Sequence, residues 1–270
     1  MSGLRIDGAT RMYAIVGDPI AQVGSPAVFS GRFAALGANA VLVPAHVPPE
    51  QFESVFPALM ALRNLDGLLV TVPFKPRALS FAARLGKTAS TVGALNALRR
   101  EPDGSWTGEM FDGAGFVGAA KAKGQRVEGR RVALYGAGGA GSAIACALAE
   151  AGVASIHLVD PLPGRASSIA EKLAAAFPSC RFAAASAVPD GSDMIVNAST
   201  VGMRADDGLP GAIGTLGQGT LVGDVILSDA PTALLRLALE RGCATVSGRE
   251  MLAAQADAIV AFFAPARSRA

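Results

Sequence analysis

The sequence predicts two α/β domains in tandem, an N-terminal one with a mainly parallel sheet and a C-terminal one built on repeated strand–helix–strand units. Three observations carry that expectation. The chain has 270 residues, against roughly 150 for a typical single domain. Short β-rich runs alternate with Ala- and Leu-rich runs at helical spacing, the arrangement that produces parallel βαβ units. Hydrophobic residues make up 51% of the chain and charged residues 17%, which suffices for two cores and excludes wholesale disorder.

Taken in order, residues 12–16 form a short apolar strand, closed by Gly17-Asp18-Pro19. Residues 26–36 carry Val28, Phe29, Phe33 and Leu36 on one helical face, with Gly37 placed to end the helix. Residues 40–44 read as a second strand. Phe52, Val55, Phe56, Leu59 and Leu62 make 49–62 an amphipathic helix. A third strand, 67–72, is stopped by Pro73, and Asp103-Gly104 between apolar flanks predicts a hairpin over 99–106. From Arg131 the pattern restarts with strand 131–136, helix 138–151, strand 154–160 and helix 164–177. Strands at 193–197 and 220–225, a helix at 231–241 and a last helix at 249–263 complete it. The boundary falls within 111–128. The first domain is assigned 1–112, with the C-terminal helix 249–270 packing back on it, and the second 113–248.

Composition narrows the function. The 24 basic and 22 acidic residues leave a net charge of +2 without any long run of one sign, so neither nucleic acid nor an anionic membrane is an expected partner. No apolar stretch has the length of a signal peptide or membrane span. Three well-separated cysteines, Cys146, Cys180 and Cys243, fit reduced thiols in a cytoplasmic protein. Two histidines, His46 and His157, are too few for a His-based metal site, and both read as structural. No metal is expected, and the partner is a small molecule.

The sharpest motif is Gly136-Ala137-Gly138-Gly139-Ala140-Gly141, which satisfies G-x-G-x-x-G. A second match, Gly113-Ala114-Gly115-Phe116-Val117-Gly118, shows how weak that pattern is alone. Context separates them. The first follows the strand-like Arg131–Tyr135 and opens an Ala-rich helix, the turn in which glycines let a pyrophosphate approach helix N–H groups. The second has no clear strand before it, so its glycines are expected to let a helix pack closely. Asp160 lies 19 positions past Gly141, at the end of the next strand. An acidic residue there accepts from the adenosine ribose and repels a 2′-phosphate, which favours NAD over NADP. Arg165, five residues on, offers the one nearby charge that could hold such a phosphate. The second domain is therefore expected to be a Rossmann dinucleotide-binding domain.

Across nearly the whole chain, further motifs follow in one order: Gly17-Asp18-Pro19-Ile20, Ser25-Pro26, Val70-Thr71-Val72-Pro73-Phe74-Lys75, Gly93-Ala94-Leu95-Asn96, Asp112-Gly113, Gly136-Ala137-Gly138-Gly139-Ala140, Asn197-Ala198-Ser199, and Gly248 with Met251, Leu252 and Gln255. This set resembles the shikimate/quinate dehydrogenase family. The resemblance implies hydride transfer between a nicotinamide and a ring hydroxyl, as in 3-dehydroshikimate to shikimate. It implies Lys75 and Asp112 as catalytic pair, and Ser25, Thr71, Asn96 and Gln255 as substrate ligands, with Ser25 on the substrate carboxylate. Cofactor contacts would come from Gly136, Ala137, Gly138, Gly139, Ala140, Asp160, Ser199, Thr200, Val225 and Gly248. A carbonyl reduction independently requires a proton donor beside the developing alkoxide, which a lysine and a carboxylate can supply. Only 5 of the 24 basic residues are lysine, so Lys75 is not background composition. Read without the resemblance, Lys75 is a solvated loop cation, Asp112 and Ser25 are helix caps, and Asn96 is a turn residue.

Departures from the family pattern concern recognition. Val23 stands where the family usually has a second serine, Leu69 where it has an asparagine, Met110-Phe111 where it has Asn-Thr, and Leu227 where it has a tyrosine. After the second Rossmann strand, Asp160-Pro161-Leu162 replaces the Asn-Arg-Thr of NADP-using members. The expectation is an NAD-dependent oxidoreductase with weak shikimate activity and a less polar preferred alcohol, monomeric or homodimeric. The alternatives are quinate dehydrogenase, a catalytically quiet NAD-binding regulator, and a folate-linked dehydrogenase.

Overall fold

The computed structural model describes residues 6–264 apart from residue 205. The chain divides into two compact units: one runs to Phe111 and takes up the chain again from Ala256, and the other is Asp112–Gln255.

The first unit contains β1 (Arg11–Gly17), α1 (Ser25–Ala35), β2 (Ala40–His46), α2 (Phe52–Met60), β3 (Leu65–Val70), β4 (Arg84–Leu85), α3 (Lys87–Val92), β5 (Ala97–Arg100) and β6 (Trp106–Glu109). Its six-stranded sheet has the order β2-β1-β3-β5-β6-β4. β1 pairs in parallel with β2 and β3, while β3–β5 and β5–β6 are antiparallel. Strand β1 is paired on both sides, and Tyr13 to Gly17 are buried accordingly. Tyr13 packs on Phe33 and on Phe263, with ring centroids 4.6 and 4.9 Å apart. The hairpin is formed as expected, and Trp106 is buried in it under the Arg100 guanidinium.

Some boundaries move for local reasons. The helix anticipated at 49–62 starts as a 3₁₀ turn over Pro49–Gln51, and its α-helical part is Phe52–Met60. β3 ends at Val70, not residue 72, because the chain turns as Phe74 N–H donates to the Thr71 carbonyl. The six-residue helix α3 was not anticipated, since Lys-Thr-Ala-Ser-Thr-Val has no apolar stripe.

The second unit holds α4 (Asp112–Ala122), β7 (Arg131–Tyr135), α5 (Gly139–Glu150), β8 (Ser155–Val159), α6 (Arg165–Ala176), β9 (Arg181–Ala184), β10 (Met194–Asn197), β11 (Leu221–Asp224), α7 (Ala233–Glu240) and β12 (Ala244–Ser247). The final helix, α8 (Gly248–Phe263), begins in it. The sheet order β12-β11-β10-β7-β8-β9 is parallel throughout. The order reverses between β7 and β10, the doubly wound pattern in which ligands bind beyond the strand carboxyl ends at the switch point.

The expected return to the first domain at residue 249 comes later, at Ala256. Met251 and Gln255 stay in the second unit because α4 packs on them: a Cβ at Gly115 would lie 2.8 Å from the Met251 carbonyl and 2.9 Å from the Gln255 Cβ. Residues 265–270 of the anticipated C-terminal helix lie outside the described residues. No helix among the described residues is long and apolar enough to cross a membrane. All three cysteines are buried and unbridged.

One ion pair ties the starts of β7 and β10. Asp193 accepts from the Arg131 backbone N–H at 2.9 Å and from its guanidinium at 3.0 and 3.1 Å. The guanidinium hydrogen bond holds the Asp193 carboxyl below the usual carboxylate range. Its stabilising contribution is therefore full above the unfolded-state value and is lost as pH falls through the lowered folded value. Asp193→Asn should lower Tm at pH 7, and the gap to the unaltered protein should close below about pH 4. Thermal melts at stepped pH check this; a gap that widens in acid would refute it.

Candidate active site

In the first unit the expected residues gather at the carboxyl end of the sheet. Thr71 follows β3 directly, its N–H donating to the Val16 carbonyl at 2.9 Å. Its methyl group lies against Gly17, where an added Cβ would stand 2.3 Å from it. Lys75 comes four residues later on a segment with little freedom. The preceding Phe74 is fully buried and stacks on Phe52 with ring centroids 4.2 Å apart. The Lys75 carbonyl accepts from Leu95 N–H at 3.0 Å. Neighbouring Asn96 is buried, and its Oδ1 accepts from Phe111 N–H at 2.9 Å. Thr71, Lys75, Asn96 and Phe111 thus belong to one cluster of strand ends. Ser25 is buried at the first helical position of α1, whose cap residue is Gly24, so the reading of Ser25 as the helix cap does not hold.

The apolar departures are not equivalent. Leu69 is 4% exposed within β3 and Met110 is 3% exposed. Val23 and Phe111 are only half-buried, as is Leu227 in the second unit. Phe111 rests on Phe262, with centroids 5.4 Å apart, and Arg99 lies over the other ring's face while donating to the Phe262 carbonyl. His46, at the end of β2, donates its Nε2–H to Asp18 Oδ1 across 2.6 Å.

In the second unit the first glycine motif forms the expected turn. Gly136 has φ +90°, a conformation that favours glycine. An added Cβ on it would come within 2.7 Å of Ser199 N. A Cβ on Gly141 would stand 1.8 Å from the Gly136 carbonyl oxygen, so only glycine fits as α5 leaves the loop. Helix α5 spans twelve residues, its cap residue Gly138 offers no side chain, and nothing lies within 4 Å of a Cβ built there. An uncapped helix start with open space before it suits a pyrophosphate.

Asp160 stands beside this loop and does more than await a ribose. Its Oδ2 accepts from Ala137 N–H at 2.8 Å, and its Oδ1 from Leu162 N–H at 2.9 Å. Its side chain is 3% exposed, and Arg165 Nη1 lies 3.5 Å away. Ser199 donates through both N–H and hydroxyl to Asn197 Oδ1. Thr200 is exposed, and Val225 N–H donates to the Asn197 carbonyl at 3.0 Å. Gly248 opens α8, where a Cβ would meet the Val225 carbonyl at 2.4 Å. Asp112 is buried at the start of α4, and Gln255 is buried on α8.

The decoy motif is a packing device. A Cβ at Gly113 would stand 2.1 Å from the Ala143 carbonyl of α5. Sequence reasoning named Asn197 only as part of a motif and missed that it is buried together with two further polar groups, Asp224 and Thr232. An aspartate closing an apolar strand was the available signal.

A family profile described as the shikimate dehydrogenase substrate binding domain matches residues 15–98. A shikimate dehydrogenase (NADP(+)) of Rubrobacter xylanophilus is 39% identical over 93% of this chain and 90% of its own length. The crystal structure of shikimate dehydrogenase from Aquifex aeolicus superposes with a TM-score of 0.86 at 27% identity, over 98% of this chain and 96% of that one. Quinate dehydrogenase from Corynebacterium glutamicum in complex with NAD gives a TM-score of 0.81 at 26% identity, over 96% and 95%.

The last glycine of each motif, Gly118 and Gly141, should respond oppositely to alanine. Gly118 has only ordinary contact with Ala254, at 3.5 Å, and sits inside a helix. Gly118→Ala should raise stability by up to about 1 kcal/mol and leave dinucleotide affinity unchanged. Gly141→Ala should weaken that affinity more than tenfold. Melting curves and dinucleotide titrations check both; weakened binding in Gly118→Ala would return the decoy to the site.

Proposed function

The chain belongs to the shikimate dehydrogenase family, and from that premise we propose that it transfers hydride reversibly between NAD and a ring hydroxyl of a substrate less polar than shikimate. Membership makes it an oxidoreductase that uses a nicotinamide dinucleotide. The cofactor supplies or accepts the hydride. The chain's own residues bind, orient and move the proton.

The observation that carries the catalytic reading is the anchoring of Lys75. A buried aromatic stack before it and the Leu95 hydrogen bond after its Cα fix the backbone that carries the ammonium. Lys75 donates a hydrogen bond to the substrate oxygen, stabilising the charge that develops when the carbonyl is reduced. Asp112 is its partner in holding and returning the proton. Thr71, Asn96 and Gln255 orient the remaining hydroxyls, and Ser25 meets the end occupied by the carboxylate in shikimate. Asn96 Oδ1 accepts from Phe111 N–H, which fixes the side chain from which it would meet a hydroxyl.

Recognition differs from that of a shikimate-dedicated site. Val23, Phe111 and Leu227 are partly accessible and apolar where the family pattern has hydroxyl-bearing residues. A substrate carboxylate deprived of two donors loses about 1–3 kcal/mol for each. An alcohol without that carboxylate loses nothing there.

The NAD preference rests on Asp160 and Pro161. The carboxylate is fixed by Ala137 and Leu162 at the expected ribose position, and the residue after it carries no charge. Its negative charge opposes a 2′-phosphate. NADP use would arise through Arg165, which is 44% exposed beside Asp160.

Initial rates with shikimate and with quinate, each with NAD and NADP, test the reading directly. NAD should exceed NADP at least tenfold in kcat/KM, and shikimate turnover should be slow. Rapid NADP-linked shikimate oxidation would overturn both the cofactor and the substrate assignment. Lys75→Ala should lower turnover by about 10²–10⁴ while dinucleotide affinity, measured by titration, stays within twofold.

A further inference from the structure

Beneath the second unit's strand ends lies a buried polar cluster to which the proposed chemistry assigns no part. Asp224 closes β11 at 2% exposure, with Asn197 at 1% and Thr232 at 8% beside it. Asn197 Nδ2 donates to Asp224 Oδ1 at 3.1 Å, as does Ile226 N–H at 3.1 Å. Thr232 Oγ1 donates to Asp224 Oδ2 at 2.6 Å and accepts from Leu235 N–H as the cap of α7. Burial pushes the Asp224 carboxyl above its ordinary range, and the Thr232 hydroxyl, the Ile226 amide and Asn197 oppose that.

A carboxylate is a costly way to fill such a space. Well-packed apolar residues replace buried charged groups at little or no loss of stability. A reason to retain the charge lies in what its donors are attached to. Asn197 also donates to the Val201 carbonyl at 2.8 Å and accepts twice from Ser199, so its side chain sets the course of 197–201. Ala198 and Ser199 are the backbone on which Gly136 rests. Ile226 lies on the other side. Its carbonyl and that of Val225 face Gly248, where a Cβ would meet them at 2.6 and 2.4 Å. Both segments leave neighbouring parallel strands beside the switch point, where a doubly wound sheet binds its ligand.

We propose that Asp224 is a positioning residue of the dinucleotide site, its carboxylate fixing at once the 198–200 segment under Gly136 and the 225–226 segment under Gly248. The assignment rests on the second unit binding a nicotinamide dinucleotide. Asp224 touches neither cofactor nor substrate; it acts through Asn197, Ile226 and Thr232. Removing the Thr232 donor leaves Oδ2 unanchored, so the carboxylate whose Oδ1 joins the two segments loses its fixed orientation, and dinucleotide binding weakens without removal of any group that contacts the dinucleotide.

Thr232→Val tests this because valine keeps the shape and lacks the hydroxyl, while Thr232→Ser keeps the hydroxyl. Binding of NAD and NADP to the full chain is titrated by calorimetry, at a temperature where circular dichroism shows every variant folded. Kd and the dinucleotide KM should rise at least fivefold in Thr232→Val, by a larger factor than kcat falls, and return to within twofold in Thr232→Ser. If the valine variant does not fold, Asp224→Asn serves instead: it keeps the volume but turns an amide toward the Thr232 and Asn197 donors. A variant whose Tm falls while Kd moves less than fivefold would show the cluster to be structural only and overturn the proposal. So would a loss that serine does not restore. Failure of the unaltered protein to bind either dinucleotide would sink the underlying reading instead, which separates the two.

Discussion

At Gly141 the chain passes so close to the Gly136 carbonyl that a Cβ would stand 1.8 Å from its oxygen, and the dinucleotide half of the molecule is arranged around that contact. The approach seats α5 on the end of β7 and forces the turn between them to be short. The same turn brings Ala137 N–H to Asp160 at the end of β8, on one side of β7, and lays Gly136 on Ala198 and Ser199 at the end of β10, on the other. Three adjacent strand ends are thereby fixed by one backbone path. Strand directions supply the rest, because a sheet that is parallel throughout points all its carboxyl ends the same way.

The first unit reaches a comparable rigidity by other means. Its anchor is an aromatic one, with Phe74 fully buried against Phe52 and the Arg77 guanidinium lying over both rings. Such a cluster holds a main chain through packing and dispersion, contributing most when its rings are wholly removed from water. A flexible, strongly hydrated lysine side chain benefits from that arrangement. The entropy cost of placing it falls on four carbons of side chain, since the backbone beneath is already ordered.

Periodicity and the strand–turn–helix context made the two-unit architecture, the parallel second sheet and the glycine turn after β7 legible in the sequence, and the second glycine motif could be set aside on context alone. Elements lacking a period were not legible. α3 has no apolar stripe, and β12 is a four-residue strand of Ala, Thr, Val and Ser. The site was legible where chemistry dictates residue type, as at Lys75 in its conspicuous motif. It was not legible where function depends on who donates to whom. Asp160 stood out as a carboxylate at the right distance from the glycines, yet nothing in the sequence said that Ala137 and Leu162 would claim its oxygens. Nor could it say that Asn197, Asp224 and Thr232, spread over 36 positions, would meet in one buried cluster.

Residue types change in this chain along a line that separates chemistry from recognition. In the function proposed above, the lysine, the aspartate and the glycine turn answer to constraints that a different substrate leaves untouched: a proton must be held, and a pyrophosphate must approach backbone N–H groups. Val23, Phe111 and Leu227 would, on the same proposal, answer to the groups the substrate presents. Of these Phe111 is the most informative, because its backbone N–H engages Asn96 while its ring packs on Phe262. The hydrogen bond is made by the main chain and survives any side chain at that position. Asn96 therefore keeps its orientation whatever follows Met110, and the side chain at 111 is left to set the polarity of the neighbouring wall. On the proposed reading, such a site exchanges one alcohol for another by substitution at its rim while the groups assigned to hydride and proton transfer stay as they were.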